Sequence, residues 1–226
     1  MTETVFQLTS AMSVRISRIT AKGCRIGVTH EFSEVGAALR EAGKPYLTPT
    51  LSPGWNDFTR ENCFWIHISM GGELLGAAGV KRESIGVEPV GEYWRRIHRR
   101  HYPRPDGGEV IEEVSSLIGD SFQGDIAYFG DLFLNPKLRK LQVIEDFGHV
   151  ALYHAAISFR ASVFYAFLKD RDLRRGFGYQ LGLMRCVPRA QIWADPAPAT
   201  RGNHEACCYS TANDVLGLAA LDVADA

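Results

Sequence analysis

Several residue groupings have the types and spacing that chemistry uses. His204-x-x-Cys207-Cys208 and Cys63-x-x-x-His67 offer nitrogen and sulfur donors. A zinc site needs a second half of matching spacing, and neither grouping has one, so core or edge positions are the favoured reading and no metal is expected. Gly176-x-Gly178-x-x-x-Gly182 resembles part of a dinucleotide fingerprint. A working fingerprint follows its strand at once, whereas here the charged run KDRDLRR intervenes. The basic run Arg95, Arg96, His98, Arg99, Arg100, His101 and Arg104 has Trp94 and Tyr102 interleaved. That pattern suits a nucleic acid, an acidic protein or an anionic ligand. It equally suits a solvated helix face with Tyr93, Trp94 and Ile97 turned inward, which is the favoured reading. Glu112 and Glu113 form a carboxylate pair, most simply a solvated face.

The bulk composition narrows the setting for these groups. The chain has 226 residues, 46% hydrophobic and 23% charged, enough apolar surface for one core. A formal net charge of −1 argues against coating nucleic acid through overall charge. Five cysteines, two of them adjacent, make a poor disulfide framework and suggest reduced thiols. The beginning of the chain lacks a continuous apolar run, and no stretch reaches the length of a membrane span. A cytoplasmic protein is expected.

The elements that must position the candidates follow from periodicity. Residues 1–22 read as a loose polar lead-in, and 23–226 as a single domain with an inserted helical segment at about 82–124. Cys24–His30 reads as a strand and Ser33–Ala42 as a helix stopped by Gly43. Cys63–Met70 and Glu73–Lys81 flank Gly71-Gly72, a hairpin signal. Glu92–His101 and Glu109–Leu117 read as helices, and Asp125–Leu134 as a strong strand ending at Asn135-Pro136. Leu138–Phe159 has helical spacing, and Ala161–Leu168 is a core strand. Arg171–Leu183 reads as a turn plus a short helix. Ala190–Ala194 and His204–Ser210 read as closing strands. This order predicts an α/β (α+β) fold with helices packed on a sheet.

The order resembles the GNAT superfamily of N-acetyltransferases. Three segments carry the likeness: the hairpin IHISMGGELLGAAGV, the strand and turn DLFLNPKLRK with the helix after it, and VFYAFLKD…GYQLGL. The resemblance implies a mixed, mostly antiparallel sheet with helices on both faces. It also implies transfer of an acyl group from acetyl-CoA or another acyl-CoA, as co-substrate, to a small-molecule amine. The alternatives are an acyl carrier protein as donor, docking at the basic helix 95–104, or a non-catalytic GNAT-like module.

The resemblance also implies a site. Leu132, Phe133 and Leu134 would pair with the pantetheine amides, and Arg139, Lys140, Leu141, Gln142, Val143 and Ile144 would form the phosphate turn. That turn departs from the family's Q/R-x-x-G-x-G/A form: Gln142 and Ile144 stand where glycines let the backbone approach a pyrophosphate. Tyr179 resembles the family's general acid, one residue closer than usual to the following glycine, and is expected to point into the cleft. Asp131 is the candidate base, acting directly or through water, although an outward-facing strand position is the favoured reading.

Overall fold

The computed structural model describes residues 3–225. The hairpin is present as read: β2 (Cys63–Met70) turns through Gly71 and Gly72, both at positive φ, into β3 (Glu73–Gly86). β1 (Arg25–Thr29), β5 (Gly124–Leu134), β6 (Val163–Lys169), β7 (Arg185–Val187) and β9 (Glu205–Thr211) join them. The seven-stranded sheet runs β1-β2-β3-β5-β6-β9-β7, and its one parallel pairing is β5 with β6. This is the mixed, mostly antiparallel sheet expected.

Strand alternation divides the core in two. Phe64, Ile66 and Ile68 face one layer, where Leu75, Val80, Phe147, Leu152 and Phe164 also pack. Trp65 faces the other, with Trp94, Tyr128, Tyr165 and Trp193. The first layer is covered by α1 (Glu3–Ala21), α5 (Ile144–Phe159) and α8 (Ala212–Ala224). The second is covered by α2 (Phe32–Glu41) and α3 (Val90–His101).

Three local readings are corrected. Residues 3–21 are a 19-residue helix, not a loose lead-in. Leu8, Ala11, Arg15 and Ile19 fall on one buried stripe, and an arginine with an alanine in that stripe obscures it at sequence level. Glu109–Leu117 is not a helix: Ile111–Val114 forms β4, paired with β8 (Gln191–Trp193) in a separate two-stranded sheet. β-branched Val110 and Ile111 bury against the second core layer, which suits an extended chain better than a helix. The stretch 138–159 divides into α4 (Pro136–Leu141) and α5, broken at Gln142, whose φ is 50°. The two short helices α6 (Asp170–Leu173) and α7 (Phe177–Gln180) follow β6.

Candidate active site

β5 and β6 begin as neighbours and then part. Their ladder covers only Ile126–Val163, Ala127–Phe164 and Tyr128–Tyr165. Beyond it β5 stays bonded to β3 on its other edge, and β6 to β9. Each strand therefore turns an unpaired backbone edge toward the gap, and such groups need a partner. A bulge sharpens the divergence. The β3–β5 register skips one residue of β3 (Ala78) and two of β5 (Asp131, Leu132), and Asp131 sits at φ 51°.

The cleft between the parting strands encloses about 750 Å3 and is lined from both faces of the sheet. One half is apolar, walled by Leu132, Leu134, Phe147, Ala151, Leu168 and Leu181. It owes its depth to small residues. A Cβ on Gly148 of α5 would lie 2.9 Å from the Gln180 carbonyl oxygen and from the Leu181 Cα, so α5 and α7 meet backbone to backbone. The other half is polar, with Lys44, Thr48, Asp131, Thr200, Arg201 and Glu205. At one rim Lys169, Arg171 and Arg175 gather beside Asp172.

No protein-family model matches the chain. No curated protein matches it in sequence. Among solved structures it is similar to FeeM, an N-acyl amino acid synthase from uncultured soil microbes, at TM-score 0.45 and 11% identity over 85% of this chain and 92% of that one. It is similar to a polyamine N-acetyltransferase of Drosophila melanogaster at TM-score 0.45 and 12% identity, over 81% and 97%. It is similar to a GNAT-family acetyltransferase of Streptococcus agalactiae at TM-score 0.41 and 13% identity, over 84% and 95%.

Asp131 lines the cleft, but its carboxylate is committed. The Thr48 amide donates to it at 2.9 Å, the Thr48 hydroxyl at 2.8 Å, and the Lys44 ammonium pairs with it at 3.1 Å. Its side chain has no exposed surface. It clips the loop after α2 onto the bulge, which is a holding role and not that of a free base. The expectation that Tyr179 points into the cleft is corrected: the residue is 64% exposed and lies outside the lining of the cleft, where its neighbours Phe177 and Gln180 stand instead. Helical rotation at the first turn of α7 decides this, and sequence spacing alone does not reveal it.

The expected phosphate turn lies between α4 and α5. Asn135 caps α4, its side chain accepting from the Lys137 amide at 3.0 Å, and the Leu138 amide bonds Asn135 O. These two amides, just ahead of the Arg139–Ile144 turn, are engaged locally. Lys140 is exposed, Leu141 packs on the core, and Val143 is fully buried. The Gln142 carbonyl accepts from Lys22 Nζ at 2.9 Å. Glu145 and Asp146 occupy the first turn of α5, where anionic side chains already answer the helix dipole. The Arg139 side chain lies outside the described residues. Of the expected donor-binding positions, Leu132, Leu134 and Ile144 line the cleft, whereas Phe133 packs into the second core layer.

Several arginines of the basic run are paired with carboxylates from flanking segments. Arg96 pairs with Glu88 at 2.7 Å and Arg104 with Asp106 at 2.9 Å; Arg99 pairs with Glu109. Arg95 donates to the Ile111 and Glu112 carbonyls. Among the described residues no group of three or more His, Cys, Asp or Glu forms a metal-holding arrangement, and no helix is long and apolar enough to cross a membrane.

Sequence reasoning missed Arg201 and Glu205. Arg201 belongs to the loop between β8 and β9, which Asn203 anchors: its side chain accepts from the Trp193 amide at 2.6 Å. Arg104 holds the same loop through the Asp195 carbonyl at 2.9 Å. The Arg201 guanidinium sits 5.0 Å from the Phe167 ring centroid and 5.6 Å from that of Trp193. Glu205, the first residue of β9, lies 3.6 Å from it. Burial raises the Glu205 carboxyl above its ordinary value, and Arg201, Lys169 and the Gly202 amide offset this only in part. A lone Arg in a Pro/Ala-rich loop and a Glu opening an apolar strand carry no sequence signal of this pairing.

Proposed function

We propose that the protein is an N-acyltransferase that moves an acyl group from a coenzyme A thioester to the amine of a small molecule. The observation that carries this reading is the parting of β5 and β6 after Tyr128, which leaves free strand edges along an open cavity. An amide-rich pantetheine arm is the kind of ligand that completes such an edge, as an added strand does. The donor lies in the apolar half and the amine enters from the polar half. An open cleft of this volume also weighs against a non-catalytic module.

The chemistry follows from the groups present. The amine nitrogen attacks the thioester carbonyl carbon, a C–N bond forms, the C–S bond breaks, and the thiolate leaves. The amine proton passes to Glu205, directly or through water. A buried carboxylate with a raised pKa is suited to that task. The departing thiolate needs little acid help, because an unperturbed thiol ionises near pH 8.5. That chemistry leaves no need for a phenol at Tyr179. The donor's phosphates meet Lys169, Arg171 and Arg175 at the rim and not the α4–α5 turn.

Calorimetry with acetyl-, octanoyl- and palmitoyl-CoA tests the donor. Micromolar to millimolar binding that weakens on reversing Arg171 and Arg175 to Glu is expected. No binding by any of the three at millimolar concentration sinks the reading. Pairing of Arg96 and Arg99 with flanking carboxylates weighs against an acyl carrier protein docking at α3, so free coenzyme A thioesters come first.

A further inference from the structure

We infer that the amine acceptor also carries a carboxylate, received by Arg201 in the polar half of the cleft. The inference rests on the acyltransfer reading and names the class of its acceptor.

Arg201 lines the cavity, yet its side chain is only 5% exposed. Its Nε and one terminal nitrogen have no hydrogen-bond partner among the described residues. The nearby anion, Glu205, stands at 3.6 Å, beyond hydrogen-bond reach, and its Oε2 is also without a partner. A buried guanidinium short of acceptors is costly, so native proteins rarely leave one so. The arrangement is nonetheless well held. Phe167 and Trp193 flank the plane of the guanidinium, and Asn203 and Arg104 fix the loop that bears it.

The form of the unmet demand identifies the ligand. A planar fork of N–H donors matches a carboxylate with two parallel bonds, which a neutral amide or a bare alkyl group cannot supply. Lys44 adds a second cation to the same half of the cleft, itself balanced by Asp131. Glu205 beside Arg201 places a proton acceptor next to the anion-holding group. An amine only a few bonds from its carboxylate therefore reaches Glu205 when the carboxylate is seated on Arg201. α-Amino acids and short ω-amino acids meet that requirement.

The test uses the full chain, the three acyl-CoA donors above, and L-amino acids paired with their primary carboxamides. Thiol release reports turnover, and calorimetry reports binding without turnover. The expected result is a preference of about 100-fold or more in kcat/KM for the free acid, because a site built to bond a group rejects the analogue that lacks it. Arg201→Gln should abolish this preference by raising KM for the acid, and Arg201→Lys should restore part of it. Equal turnover of acid and carboxamide by the wild-type protein overturns the inference and leaves acyltransfer standing. A uniform loss on all acceptors in Arg201→Gln also overturns it, marking Arg201 as a packing residue. If no amine is acylated, binding decides: an acid that binds where its carboxamide does not keeps the anion site and removes acyltransfer. Binding of neither removes the inference.

Discussion

Arg15 and Arg201 are both buried guanidiniums beside carboxylates, one on each face of the sheet. Arg15 reaches four acceptor atoms. Its Nε donates to Asp222 at 2.8 Å, and NH1 donates to Glu145 and Asp146 at 2.9 Å each. NH2 closes the second bond to Asp222. Asp222 in turn accepts from the Tyr153 hydroxyl at 2.6 Å and contacts His149 Nδ1 at 3.1 Å. The network ties α1, α5 and α8 together. Around Arg201 the picture is reversed. Arg201 Nε, Glu205 Oε2, the Tyr102 hydroxyl, Trp193 Nε1, Gln191 Oε1 and the Nδ1 atoms of His98 and His101 all lack a partner among the described residues. Burial holds both histidines neutral at ordinary pH, pushing His101 down to about 3. The difference teaches what each face is for. A buried ion cluster whose guanidinium is paired, with His149 Nε2 its one unmet atom among the described residues, fixes helices, whereas one with many unmet groups beside a cavity is shaped for something that arrives.

Glu205→Gln should have the largest effect. It keeps the shape and removes the proton acceptor, lowering kcat by roughly 10²- to 10⁴-fold in a thiol-release assay. The wild-type pH profile of kcat/KM should fall on the acid side above the usual carboxylate range, and that limb should vanish in the variant. An unchanged rate would make Glu205 only the counter-ion of Arg201.

Arg15→Ala should break the other face instead. It strands Asp222 without its cation and leaves Asp146 only Lys22 at 3.8 Å, costing about 3–5 kcal/mol in urea unfolding. An effect below 1 kcal/mol would show that the Arg15 cluster does not hold the helices. The same cluster has a pH signature. Burial raises the Asp222 carboxyl, but hydrogen bonds from His149, Arg15 and Tyr153 outweigh it and hold the group well below the ordinary range. Its stabilising contribution is therefore full above the unfolded value of about 3.9 and is lost as the pH falls below that. Asp222→Asn should flatten that acid limb of stability, measured as unfolding midpoints from pH 5 to 2.

A smaller effect is expected at Gly148→Ala. The added Cβ meets backbone of α7, which cannot yield as a side-chain end can. Overpacking of this kind costs about 1–3 kcal/mol, and the apolar half of the cleft should lose affinity for long acyl-CoAs before short ones. Wild-type stability with unaltered chain-length preference would show that α5 and α7 part freely. Tyr179→Phe should do least. An exposed phenol outside the cleft predicts turnover within about twofold of wild type and stability within ±0.5 kcal/mol. A tenfold loss would return Tyr179 to the mechanism and require α7 to rotate.

Several elements were legible because one local rule decided each. Gly71-Gly72 between two β-branched and aromatic runs specifies a hairpin, and the apolar runs of β5 and β6 specify core strands. α8 carries a local start signal as well, since Thr211 and Asp214 form a capping box. α1 and β4 were not legible. An apolar stripe interrupted by Arg15 looks solvated until Asp222, 207 positions away, is seen to meet it.

Sequence by itself determined the hairpin and the central core strands, because those follow from periodicity and turn chemistry over short windows, whereas the cleft beside β5 was an implication of the family resemblance. It also showed that the Arg139–Ile144 turn lacks its glycines. Only the tertiary structure decided which charged groups face the cavity. Asp131 was a local candidate, and the loop around Thr48 took it out of use. Arg201 and Glu205 became a pair because an anchored loop and the edge of β9 bring them together behind Phe167. Burial and pairing of charge depend on which segments fold back onto one another, and residue order encodes that only through the whole chain at once.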